Sequence, residues 1–133
     1  MIKCQECKSP YKEVRRKISK DFGSGIEIQL KQTVKVLHCN QCGHELSSLK
    51  EIRRGNDILL SKLLKKYAHK PLPGRVAKWI RSAIDLPMVD LVKELRLNHS
   101  EYEKREKENE PLDRMSSEII LLKIQAFLIH RKD

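Results

Sequence analysis

Two short cysteine pairs, Cys4-Gln5-Glu6-Cys7 and Cys39-Asn40-Gln41-Cys42, constrain this chain more than any other feature. Each CxxC turn offers two thiolates from one tight loop. Four soft ligands of this kind are what tetrahedral zinc takes in structural sites. Residues 8–38 must therefore fold so that the two pairs meet. A disulfide framework is the competing use of four cysteines. However, Met1-Ile2-Lys3 runs straight into Cys4 with no secretory apolar run, which leads us to expect a cytoplasmic protein with metal-binding cysteines. A redox CxxC sits where a strand meets a helix, and neither pair does. A catalytic zinc keeps one coordination position open, and four cysteines close it. His38 and His44 flank the second pair and can each replace a cysteine; with four thiols at hand they are read as bystanders. The expectation is one structural Zn²⁺ per chain on Cys4, Cys7, Cys39 and Cys42.

Between the pairs the residues read as strands. Tyr11 to Ser19 is one, Asp21 to Gly25 is a hairpin turn, Ile26 to Leu30 alternates strictly, and Thr33 to Leu37 is a third strand delivering Cys39. Gly43 suits the left-handed backbone of a knuckle. A metal staple also fits the composition, since aromatics are only 5 % of 133 residues and the core must be light. The net charge of +10 is concentrated early in the chain: residues 1–70 hold 16 Lys/Arg against 7 Asp/Glu, and residues 71–133 hold 12 against 11. That asymmetry points to a polyanion, nucleic acid first, beside the plainer reading of a lysine-rich soluble surface.

Ser47 to Lys70 carries Leu59, Leu60, Leu63, Leu64 and Tyr67 at helical spacing, with Asn56 or Asp57 as candidate caps, and ends at Pro71 and Pro73. Four further helices are expected beyond Leu72. The first is Gly74 to Ile84, with Val76, Ala77, Trp79, Ile80 and Ile84 inward. Pro87 opens the second, with Leu91, Val92 and Leu95. After the turn Arg96-Leu97-Asn98, the spacings Asn98–Glu101 and Ser100–Glu103 read as overlapping capping boxes. This third helix is acidic, with Glu101–Arg105 and Glu103–Lys107 as supporting pairs. Two helices joined by so short a turn form a helix-turn-helix.

The segment LPGRVAKWIRSAIDLPMVDLVKELRLNHSEYEKREKENEPL resembles the Cro/repressor-type helix-turn-helix through Ile80, Arg81, Ile84, Leu86, Leu91, Leu95, Leu97, Lys104 and Glu106. With the CxxC pairs in front, nearly the whole chain resembles MqsA-type antitoxins. The resemblance implies an α+β chain: a small β zinc-ribbon domain at 1–46, a connecting helix at 47–71, and an all-α helix-turn-helix domain for DNA binding and dimerisation at 72–133. It implies a structural ion pair between Arg81 and Glu106. It places the DNA-facing positions on His99, Ser100, Glu101, Glu103, Lys104 and Lys107. Departures from the pattern are Met88 for glutamine, Arg96 for the turn glycine, Asn98 for the capping serine and Arg105 for tryptophan; Pro111 comes one residue early.

The last helix, expected from Ser116 to His130, has two apolar faces. Ile120, Leu121, Ile124, Phe127 and Leu128 form the wider one, read as a dimer interface. Ile119, Leu122, Ala126 and Ile129 form the other. No nucleophile–base set and no phosphate-binding glycine loop is visible, so no enzyme is expected. The implied function is a transcriptional repressor of its own operon, the antitoxin of a toxin–antitoxin system, with operator DNA, a toxin protein and a second copy as partners. Two alternatives are an adaptor like the multiprotein bridging factors and a protein scaffold that has lost DNA binding.

Overall fold

The computed structural model describes residues 3–23 and 25–131. It is mixed α and β. Strands β1 (Tyr11–Gly23), β2 (Ile26–Cys39) and β3 (Glu45–Leu46) form an antiparallel sheet in the order β1-β2-β3. Helices α1 (Leu49–Lys66), α2 (Gly74–Ala83), α3 (Met88–Leu95), α4 (His99–Lys107) and α5 (Arg114–Arg131) follow. No helix among the described residues is long and apolar enough to cross a membrane. The contacts divide the chain into two compact units, 1–20 with 28–58, and 21–27 with 59–133; the division falls inside α1.

In the first unit the strands are longer than expected. The two predicted strands at Ile26–Leu30 and Thr33–Leu37 are a single strand, because Lys31-Gln32 contains no turn-forming residue. Ile18, Ile28 and Val36 bury the inner face. Helix α1 runs along the free edge of β2. The Lys35 amide donates to Glu51 Oε2 at 3.1 Å, and Arg54 donates to the Thr33 carbonyl. Two groups of an otherwise unpaired strand edge are thereby satisfied. The cap of α1 is Ser48, whose Oγ accepts from the Glu51 amide at 3.1 Å. Asn56 and Asp57, the expected caps, lie inside the helix.

In the second unit, the predicted hairpin turn contributes to the core. Strand β1 runs on to Gly23, and Phe22 is buried edge-on against Trp79 of α2, ring centroids 5.8 Å apart. Ser24 of that turn lies outside the described residues. Gly74 opens α2 where it meets α4 so closely that a Cβ there would sit 1.8 Å from the Arg105 carbonyl oxygen. Pro87 is the N-cap of α3, not its first residue. Arg96 ends α3 with φ 57°, the left-handed conformation that glycine most often supplies just past a helix. Asn98 alone caps α4, its Oδ1 accepting from the Ser100 and Glu101 amides at 2.9 and 3.3 Å. The segments flanking the α2–α4 array are tied together: the Leu112 amide donates to the Leu72 carbonyl, and the Leu72 amide donates to Ser117 Oγ, both at 2.9 Å. Helix α5 begins at Arg114, two residues before the expected Ser116. Its cap is Asp113, which accepts from the Ser116 amide at 3.2 Å and hydroxyl at 2.6 Å.

Candidate metal centre and exposed helix surfaces

The two CxxC turns have the same backbone design. In the first, the Cys4 amide donates to the Ser9 carbonyl (2.7 Å) and the Lys8 amide to the Cys4 carbonyl (2.9 Å). In the second, the Cys39 amide donates to the His44 carbonyl (2.9 Å) and the Gly43 amide to the Cys39 carbonyl (2.8 Å). Lys8 and Gly43 thus hold equivalent positions, at φ 65° and 78°. The long hairpin carries the second turn back to the first. Their four sulfurs lie within 4.8 Å of one another, with Cys4–Cys42 at 3.6 Å and Cys7–Cys39 at 3.2 Å. Cys4 and Cys39 are buried; Cys7 and Cys42 lie at the surface. This group can hold a metal ion.

The thiols ionise unequally. Hydrogen bonds from the Ser9 hydroxyl and amide, then from Cys39, draw Cys7 down to about 6. At Cys42 the His44 backbone hydrogen bond lowers the value, but burial and the Cys4, Cys39 and Cys7 thiols prevail and push it up to about 12. Four thiolates this close repel one another, and a divalent cation relieves the repulsion. Neither flanking histidine joins the group. His38 Nδ1 lies 2.8 Å from Glu45 Oε2, which also accepts from Arg16. The His44 ring lies 6.3 Å from that of Tyr11. The Tyr11 hydroxyl is buried beside the Cys4 thiol without a formed hydrogen bond.

On α4 the inward residues are Tyr102 and Glu106, at 0 % and 2 % exposure. Arg81 of α2 donates from Nε and Nη2 to the two oxygens of Glu106, each at 3.1 Å. Tyr102 ionises well above its usual range, through burial first and the neighbouring Glu106 carboxylate second. His99, Ser100, Glu101, Glu103, Lys104 and Lys107 are all exposed. The expected helical pairs formed differently. Glu103 faces His99 at 3.7 Å, and Arg105, partly covered, reaches Asp113 at 3.7 Å. Arg105 is drawn off the helix because Asp113 caps α5 close by.

Much of the α5 face expected to join two copies is covered within the chain itself. Ile120, Leu121 and Ile124 are 1 %, 8 % and 0 % exposed, and Phe127 and Leu128 are half-buried. The wider face of α5 is taken up by the unit's own core, since the wider stripe covers more apolar surface where the neighbouring helices already stand. The exposed large apolar residues of α5 are Met115 (69 %), Leu122 (62 %) and Ile129 (64 %). Sequence reasoning overlooked Met115 and the buried Phe22. Phe22 was legible only as a large apolar residue placed oddly in a turn.

No family model, no curated protein and no solved structure matches this chain.

Proposed function

We propose that this chain is a zinc-stabilised, DNA-binding transcriptional regulator of the MqsA antitoxin type, acting as a repressor together with a toxin partner. The observation that carries the reading is the junction of α3 and α4. A left-handed Arg96 and an Asn98 cap set two short helices at a three-residue turn. The second of them buries Tyr102 and Glu106 while leaving its other face to solvent. That is the arrangement by which a helix-turn-helix presents a recognition helix. The four-cysteine group supports the zinc. A tetrahedron with Zn–S near 2.3 Å has S···S edges of about 3.8 Å; the Cys4–Cys42 and Cys7–Cys39 sulfur pairs lie at 3.6 and 3.2 Å, and all four within 4.8 Å. When bound, the ion supplies a closed structural clamp joining the two turns. Cys4, Cys7, Cys39 and Cys42 would hold it.

A scaffold without DNA binding is the second reading. The exposed Glu101 and Glu103 favour it, because carboxylates at these positions repel phosphate. One titration separates the two: the native protein against a duplex from its own upstream region at several salt concentrations. A regulator binds with affinity falling steeply as salt rises. Lys104→Ala should then cost about 1–3 kcal/mol, the worth of one good base contact. Absence of any salt-dependent binding decides for the scaffold. Metal analysis of the purified protein should find one zinc per chain, and a chain free of metal would overturn that part.

A further inference from the structure

We propose that the solvent face of the β1–β2 ribbon is a second DNA-reading surface, built to lie in the major groove of a duplex. This rests on the reading of duplex DNA as a partner and assigns it to residues outside α4. The sheet alternation separates two faces. Ile18, Phe22, Ile28 and Val36 are buried on one. On the other, Arg15, Lys17 and Ser19 of β1 and Gln29, Lys31 and Lys35 of β2 are exposed, with Thr33 half-covered among them. The edge of β2 is closed by Glu51 and Arg54 of α1, so the ribbon presents one open face.

Most cations of that face are unpaired. Arg15, Lys17 and Lys31 have no carboxylate within ion-pair distance among the described residues, and Lys35 reaches only Glu13, at 3.9 Å. The acids Glu13, Asp21 and Glu27 share this face but lie toward the ends of the strands. The cations occupy the middle, where same-face side chains recur about every 6.7 Å along a strand.

The shape and the residue types select the partner. A two-stranded ribbon fits the major groove of B-form DNA, which is about 12 Å wide. It does not enter the deep, narrow major groove of A-form RNA. Arginine and lysine pair with guanine edges, glutamine with adenine, and serine or threonine with several bases. All of these types stand together on this one face. On α4, by contrast, Lys104 lies between Glu101, Glu103 and other exposed charges of both signs.

The test is fluorescence anisotropy of the full-length protein on two labelled duplexes, one from its own upstream region and one of scrambled sequence. The variants are Lys17→Gln/Lys31→Gln and Lys104→Ala. The ribbon variant should weaken binding on the order of 30-fold, two contacts at the low end of their usual worth. It should also flatten the salt dependence by about two counterions. Its circular dichroism and melting should match the native protein, because both side chains are solvent-facing. Unchanged affinity and slope in the ribbon variant, with loss in Lys104→Ala, would overturn the ribbon and leave the α4 reading standing. No binding of either duplex by the native chain would overturn both. Tighter binding to double-stranded RNA than to DNA would overturn the assignment of partner.

Discussion

Replacing Arg81 by methionine tests the packing of the second unit at its most charged point. Glu106 is 2 % exposed and accepts two hydrogen bonds from Arg81 at 3.1 Å. Methionine keeps most of the side-chain volume and removes the charge. The carboxylate is then stranded between α2 and α4, with the buried Tyr102 beside it. Breaking such a pair from one side costs about 3–5 kcal/mol. Arg81 itself keeps 18 % of its side chain in solvent, so water can partly replace it, and we place the loss at the lower end, about 3 kcal/mol. Urea unfolding followed by the Trp79 signal measures it, since Trp79 lies on the same helix. The double variant Arg81→Met/Glu106→Leu should recover most of the loss, because an apolar pair of similar size strands no charge. A single variant within about 0.5 kcal/mol of the native protein, the range of ordinary surface changes, would refute the argument.

Gly74→Ala should destabilise the same unit by about 1–3 kcal/mol, the usual cost of overpacking, because its Cβ would fall 1.8 Å from the Arg105 carbonyl oxygen; a melt equal to the native one would mean that α2 can shift away. Asp113 is held below its ordinary range chiefly by the Ser116 hydroxyl. Its cap therefore contributes fully above the unfolded carboxylate value near 3.8 and fades as pH falls through the lower folded value. Asp113→Ala should accordingly cost about 1 kcal/mol near pH 7 and progressively less below about pH 4; a cost independent of pH in unfolding curves would exclude the cap. If α5 joins two copies, Leu122→Lys should dissociate them, while the buried Leu121 when changed to Lys should unfold the unit instead. Mass measurement with circular dichroism distinguishes these outcomes, and a native monomer at roughly tens of micromolar would refute the dimer.

Much of this was written in local chemistry. The cysteine spacing announced the four-cysteine cluster, and the periods of Val76, Ile80, Leu91 and Leu95 announced α2 and α3. What failed to read depended on contacts distant in sequence. Phe22 looked like a turn residue because its partner, Trp79, is far along the chain. The wheel of α5 displayed two apolar faces without saying which one the unit would claim for itself. Ser116 resembled a cap, but the Asp113 carboxylate accepts from the Ser116 amide and so starts the helix earlier, with a charged acceptor. Glu103 and Arg105 had helical partners at suitable spacing, yet nearby His99 and Asp113 captured them.

The tie between Leu72, Leu112 and Ser117 also sets a clock. The Leu72 amide is buried and bonded to the α5 cap region, and the Leu112 amide is bonded back to Leu72. Each of these protons is held by a group from a distant part of the chain and not by a helix of its own. Their exchange with deuterium must wait for an opening that separates the entrance of α2 from the start of α5. The amides of Leu72 and Leu112 should therefore share one slow exchange rate, that of the unit's global opening, while the solvent-facing turns of α4 exchange ahead of them.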